Sequence, residues 1–490
     1  MTMESTQPRV RSLETHSATR EATLVLRMAT WIENLRVAGV LFLLLLVPIH
    51  GNGFGLAAGG VLILFFLWSV EAAVGKRIVF VWSPLQWVLL LFLVVCLLQL
   101  VPLPLAAHQL FNFDPSLDAD PLPVTRWPII TFNKRATTEA VIALSIVFGY
   151  LLVVLSVINS QKRLRWMING LMAIGFIIAV LLTLNRFSSD QGDLLGGQWP
   201  LGFNFWELVY PGFLEMIFPL PLAMIFGGGA RRDQSLLYGF AAVAIGVALV
   251  TSRSSGSAFV IVLEFVALGL LIVTQRRSPA GTGLARFGKV WLIVGMAAIV
   301  GAIFAGVIWT ATRPVTQVIA TDVADELQGL SALQGDVSGR TQLSRVVIWR
   351  TTLNLIADYP LLGVGLGAFP TAYTKYDPAG GFLEVNAVHN DYLQLLSETG
   401  VVGGILGVLF LVYLVSVSIQ ALKSRSSLSR SVAVGATVGG FGILAHSLVD
   451  FYLQSLMNAL LFSALIAFLL TIQRWEQNSP HREAHRRPAI

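Results

Sequence analysis

The sequence predicts an all-α fold: a polytopic helical membrane protein of about twelve transmembrane helices with a folded periplasmic loop. Three observations predict it. Hydrophobic residues make up 55% of the 490 and charged residues only 12%, whereas soluble domains carry about a quarter charged residues. Continuous apolar runs recur, each long enough to cross a hydrocarbon core as a helix of about 20 residues. None of them alternates apolar and polar residues as barrel strands do, and a closed barrel is the one other structure that satisfies the backbone in lipid.

Taken in order, the spans fall at 37–50, 54–74, 82–102, 139–158, 164–184, 205–226, 236–250, 257–274, 290–310, 399–419, 431–449 and 451–472. They divide the chain into an N-terminal tail (1–36), nine helices (37–311), a long loop (312–398), three further helices (399–472) and a C-terminal tail (473–490). No small-residue cleavage site follows the first run, so it reads as a retained signal-anchor. The single cysteine, Cys96, lies inside an apolar run, which excludes an intrachain disulfide.

The formal charge of +6 is explained by topology rather than by nucleic acid. With the N-terminus on the cytoplasmic side, that side receives more than two-thirds of the 33 Lys and Arg residues, including Lys76-Arg77, Lys162-Arg163, Arg231-Arg232, Arg276-Arg277 and Lys423 with Arg425. The positive-inside rule then places both termini in the cytoplasm. Connections are short except on the outer side, where 102–138 is Pro- and Asp-rich, 184–204 is Gly-rich and 312–398 is the longest. Loops of that length are usually functional or disordered. This one carries a helical pattern over 345–357, with Val346, Trp349, Leu353 and Ile356 at helix spacing, then a stop at Tyr359-Pro360 and a glycine-rich turn over 363–367. It is expected to fold against the outer mouth of the bundle. Small-residue pairs such as Gly400/Gly404 and Gly435/Gly439 permit close helix contact and say nothing about function.

Candidate chemistry gathers on the outer side. Arg253 is the only charge in the turn Thr251-Ser252-Arg253-Ser254-Ser255-Gly256; a lone arginine there equally fits snorkelling to headgroups. Arg340, Arg345 and Arg350 stand in the long loop near only Asp336 and Asp358, and arginine binds phosphate oxygens through a planar fork of donors. A solvated helix face suits Arg350 better than Arg345. His389 precedes an apolar helix start, with Asn390 or Asp391 as the cap, and imidazole titrates in the range a general base needs. His446 and Asp450 stand i, i+4 at a span end and are expected to pair. Glu215 and Glu264 sit within spans, where a carboxylate is a functional hypothesis by default; Glu264 suggests no role. Asp118 and Asp120 form an Asp-x-Asp pair that hard metals favour, but in a Pro-rich acidic loop it reads as solvated coil, so no metal or cofactor is expected.

Arg345-Val346-Val347-Ile348-Trp349, then Tyr359 to Gly367, then His389-Asn390-Asp391-Tyr392-Leu393 through Glu398-Thr399-Gly400 resemble the signature of the bacterial O-antigen ligase and polysaccharide polymerase family. The Ser252 to Gly256 turn, Gly212 to Met216, and Ala445 to Phe451 also resemble family blocks. The likeness covers the C-terminal half in motif and the whole chain in span number. It implies an inner-membrane glycosyltransferase that takes a glycan from undecaprenyl diphosphate at the periplasmic face, without a nucleotide sugar. The acceptor is lipid A-core for a ligase, a lipid-linked repeat for a polymerase, or, less favoured, a protein hydroxyl. The resemblance implies His389 as catalytic base and Arg253, Arg345 and Arg340 as diphosphate ligands, with Asn390, Glu398, His446, Asp450 and Glu215 in support. A transporter or flippase for a lipid-linked solute is the rival of another class. It predicts charges through the span centres, whereas the sequence places them at the outer surface.

Overall fold

A computed structural model of the protein describes residues 27–47, 54–73, 82–103, 129–188, 210–252, 255–276, 345–378 and 385–478. Every regular element among them is helical: α1 (Arg27–Val47), α2 (Phe54–Ala73), α3 (Pro84–Leu98), α4 (Lys134–Val157), α5 (Gln161–Ser188), α6 (Tyr210–Ile217), α7 (Pro219–Phe226), α8 (Arg232–Thr251), α9 (Ser255–Arg276), α10 (Arg345–Asp358), α11 (Phe369–Tyr373), α12 (Asp391–Ala421), α13 (Ser427–His446), a 3₁₀ turn (Tyr452–Gln454) and α14 (Leu456–Gln477). Eight of these helices are long and apolar enough to cross a membrane, and three shorter apolar helices accompany them. Eleven of the expected spans coincide with described helices. The ninth, 290–310, lies outside the described residues.

The departures have physical causes. Helix α1 begins at Arg27 rather than at 37, because the charges that read as tail are buried by partners. Arg36 meets Glu71 of α2 at 2.5 Å and also donates to Ser156 of α4, and Glu33 pairs with Arg163 of α5. Charges are therefore not confined to the outer surface. The sixth span is broken at Phe218, since Pro219 and Pro221 supply no amide donors to the ladder. The tenth begins at Asp391, eight residues early, and carries a break at Gly400 (φ +63°, ψ −164°). A Cβ there would stand 2.3 Å from the Leu361 carbonyl oxygen, so only glycine permits the turn. At 31 residues α12 would measure about 46 Å if straight. The break separates its first nine residues from a portion that matches a hydrocarbon core of about 30 Å.

Helices α13 and α14 form the centre of the bundle, with 89% and 83% of their spanning windows buried, against 22% in α2. The glycine face of α13 sets the spacing. At Gly439 a Cβ would lie 2.3 Å from the Met216 carbonyl oxygen, and at Gly435 2.8 Å from Leu220 Cα. The backbone of α13 thus lies directly on α6 and α7, the small-residue contact the sequence permits. Large apolar side chains exposed on the outer helices, such as Leu62, Phe66, Leu236 and Phe240, make the surface that lipid would cover.

The described parts of the long loop are folded. Ile348, Phe369, Tyr373, Val388 and Leu393 form one small core, and Leu355, Tyr359, Val364 and Ala372 another. The fully buried stripe of α10 is Val347, Ile348, Thr351, Thr352 and Leu355. Trp349, Leu353 and Ile356, expected to lead the apolar face, are only partly buried at its edge.

Candidate active site

Three segments converge where α13 ends. The start of α10 brings Arg345, the residues before α12 bring His389, and the link from α13 to the 3₁₀ turn brings Asp450. The Asp450 carboxylate stands between the other two. Its Oδ1 is 3.6 Å from His389 Nδ1 and its Oδ2 is 3.9 Å from Arg345 Nη2. The Arg345 guanidinium also donates to the Val449 carbonyl, yet half of its side chain remains exposed. Burial alone would raise the Asp450 carboxyl. The His389 ring, the Arg345 charge and the Phe451 N–H at 3.1 Å outweigh it and hold the group below the ordinary carboxylate range.

His389 is the one described non-glycine residue with positive φ, at +56°. Left-handed backbone costs a histidine of the order of 1–3 kcal/mol and persists only where the surroundings over-determine it. They do so on both sides. The Val388 N–H donates to Gln394 Oε1 at 3.0 Å, and its carbonyl accepts from Trp349 Nε1 at 2.9 Å. After the histidine, Asn390 caps α12 by accepting from the Tyr392 and Leu393 amides, each at 3.0 Å, while its Nδ2 holds the Leu448 carbonyl at 2.9 Å. Asp391 then locks α12 to the end of α13, accepting from Ser447 Oγ at 2.7 Å and from Gln454 Nε2 at 2.9 Å. The imidazole rests edge-on against Phe451, ring centroids 4.9 Å apart. Nδ1 is buried toward Asp450 while a fifth of the side chain stays exposed, which leaves Nε2 as the nitrogen able to meet a ligand.

Glu398 lies one layer below. Gln394 Nε2 donates to its carboxylate at 3.0 Å, as do the Gly367 and Phe369 amides. Its own carbonyl accepts from Gly365 N and from Gln99 Nε2 at 2.8 Å. Glu398 therefore fastens the glycine-rich turn of 363–367 beneath α12 and does not reach the His389 ring. In that turn Gly365 has φ +104°, and a Cβ on it would meet Thr131 Oγ1 at 2.1 Å.

Residues 240–408 match the family model described as O-antigen ligase. That stretch, about a third of the chain, is similar to the O-antigen ligase family. No curated protein matches the chain. The O-antigen ligase match takes in most of α8, α9 to α11 and α12 as far as Val408, and so holds Arg345, His389 and Glu398; Asp450 and Phe451 lie beyond it. Family members are membrane ligases and polymerases, which supports enzymatic activity of that general kind.

Not every expected site residue joins the cluster. Arg253 and Arg340 lie outside the described residues, as do Asp118 and Asp120. The expected His446–Asp450 pair is not formed. Helix α13 stops at His446, so Asp450 is bonded to it only through the backbone, at 3.1 Å, and its side chain turns to His389. His446 instead pairs with Glu215 of α6 at 2.9 Å, both fully buried. Glu264 of α9 packs on the next turn of α13, where a Cβ at Gly442 would stand 2.2 Å from its Oε1. Arg345 proves more exposed than Arg350, one of whose terminal nitrogens is buried, the reverse of the expectation. Sequence reasoning missed Gln99, Trp349 as a backbone clamp, and Gln394. Their partners are mainly main-chain atoms, which leave no pattern in side-chain identity.

Proposed function

We propose that the chain is an O-antigen ligase-like glycosyltransferase. In this reading it moves a glycan from undecaprenyl diphosphate to a hydroxyl of a lipid A-core sugar at the periplasmic face of the inner membrane, with both termini cytoplasmic. The observation that carries it is the Asp450 carboxylate set between the His389 ring and the Arg345 guanidinium. A base and a cation stand within one side chain of each other, as displacement of a diphosphate requires.

The acceptor oxygen attacks the anomeric carbon as the bond from that carbon to the diphosphate oxygen breaks. The bonding pair leaves with the diphosphate, the hydroxyl proton passes to His389 Nε2, and the configuration inverts. Asp450, facing Nδ1, fixes the tautomer and stabilises the imidazolium as it forms. Negative charge grows on the leaving phosphate, where preorganised cations act most strongly. Arg345 is assigned that role with Arg253, and Arg340 is the third candidate. Arginine takes the place of the divalent ion used by many glycosyltransferases. Helix α8 begins beside the start of α13 and runs 20 residues, as α13 does, which supports assigning Arg253 to the same site as His389. Asn390 and Glu398 position the His389 segment, and the Glu215–His446 pair holds the end of α13.

Lipid-linked glycan in a strain lacking the chain tests the acceptor. Long unligated chains on undecaprenyl diphosphate are expected. Accumulation of single repeats would make the protein a polymerase, and unchanged lipid-linked glycan would overturn both assignments.

A further inference from the structure

At the opposite end of α13 from His389, a cavity of about 660 Å³ opens where α5, α8 and α13 all begin, a volume in the range of ligand sites. Among the described residues its lining holds Lys162, Arg165 and Arg231 and no acidic residue. We propose that this pocket binds the phosphate headgroup of an anionic phospholipid.

The walls are fixed before any ligand arrives. Gln161 ties α5 to α13, its Nε2 donating to Ser429 Oγ at 2.8 Å and its Oε1 accepting from Ser426 Oγ at 3.2 Å. Arg165 Nη1 braces α8 by donating to the Gly229 carbonyl at 3.1 Å and to Gln234 Oε1 at 3.3 Å. Lys162 and Arg231 are exposed at the rim. The Lys162 ammonium lies 5.1 Å from the centre of the Trp166 ring, itself 41% exposed, as befits an indole at the headgroup level. The helix starts add partial positive charge to the same space. Positive-inside topology alone accounts for cations near these span ends; it does not account for three of them lining one walled cavity. Basic pockets between helices at such a face suit anionic lipid headgroups, and a membrane protein meets those at this depth. The inference is independent of the transfer reaction proposed above.

The test uses the full chain in detergent micelles, with phosphatidylglycerol and phosphatidylcholine titrated by native mass spectrometry. The double variant Lys162→Gln/Arg231→Gln removes two of the three cations at the cavity and should lose phosphatidylglycerol affinity roughly tenfold. Lys423→Gln/Arg425→Gln, which removes equal charge from the same face outside the lining, should change it less than about twofold. Arg231→Gln alone, at an exposed helix cap, should show about half the logarithmic loss if the double variant folds poorly. Equal affinity for the two lipids, equal loss in both double variants, or displacement of the lipid by inorganic phosphate would overturn the proposal.

Discussion

His389 combines a left-handed backbone with a ring buried on one nitrogen and open on the other, and its two properties separate by substitution. Glycine adopts φ near +56° without the Cβ penalty of about 1–2 kcal/mol that alanine retains. His389→Gly should therefore unfold at a higher temperature than His389→Ala, while under the proposed mechanism both lose transfer. Equal melting temperatures would show that the backbone there is not strained. Asp450 makes a pH prediction. Its carboxyl is held low in the folded protein, so its stabilisation is complete above the unfolded carboxylate value and fades as pH falls through the folded one. Melts of the native chain and Asp450→Asn should differ at neutral pH and converge only below the ordinary carboxylate range. A gap persisting in strong acid would assign the difference to packing. At this scale the sequence was informative about type and poor about partners. His389 and Arg345 stood out by chemistry, whereas the i, i+4 spacing of His446 and Asp450 was misleading because the helix between them ends.

The glycine-rich turn and the first nine residues of α12 form one unit, held by Gln99 from α3's end. Its amide donates to the Leu362 carbonyl at 2.7 Å and to the Glu398 carbonyl at 2.8 Å, and its oxygen accepts from Leu366 N at 3.0 Å. Gln99→Leu would strand two main-chain groups, the Leu362 carbonyl and the Leu366 N–H, while the Glu398 carbonyl keeps Gly365 N; each stranded group costs about 1–3 kcal/mol when buried without a partner. A loss of at least about 2 kcal/mol in denaturant unfolding is expected; a neutral result would mean that the turn closes without this tether. The spans themselves were legible because hydropathy alone defines them. The start of α1 was not, since Glu33 and Arg36 read as tail until Arg163 and Glu71 are seen beside them. The break at Gly400 was likewise hidden, because the helix pattern continues through it and only the Leu361 backbone excludes a side chain.

Across the whole bundle, α13 connects two faces of different character: one end with the His389, Asp450 and Arg345 cluster, and the opposite end with a basic cavity. The first helices are joined by buried ion pairs, Arg36 with Glu71 and Glu33 with Arg163. Removing one partner of a buried pair costs about 3–5 kcal/mol, whereas replacing both by apolar residues is often neutral. Arg163→Met should lower the yield of folded protein, and Glu33→Leu added to it should restore most of that yield; no rescue would assign Arg163 another role. The central claim concerns chemistry, and purified protein in liposomes tests it most directly through transfer from a lipid-diphosphate-linked glycan. His389→Ala, inserted in normal amount, should still bind the lipid diphosphate but lose transfer at least about a hundredfold, the contribution expected of a general base. Transfer by His389→Ala at the native rate would contradict the account.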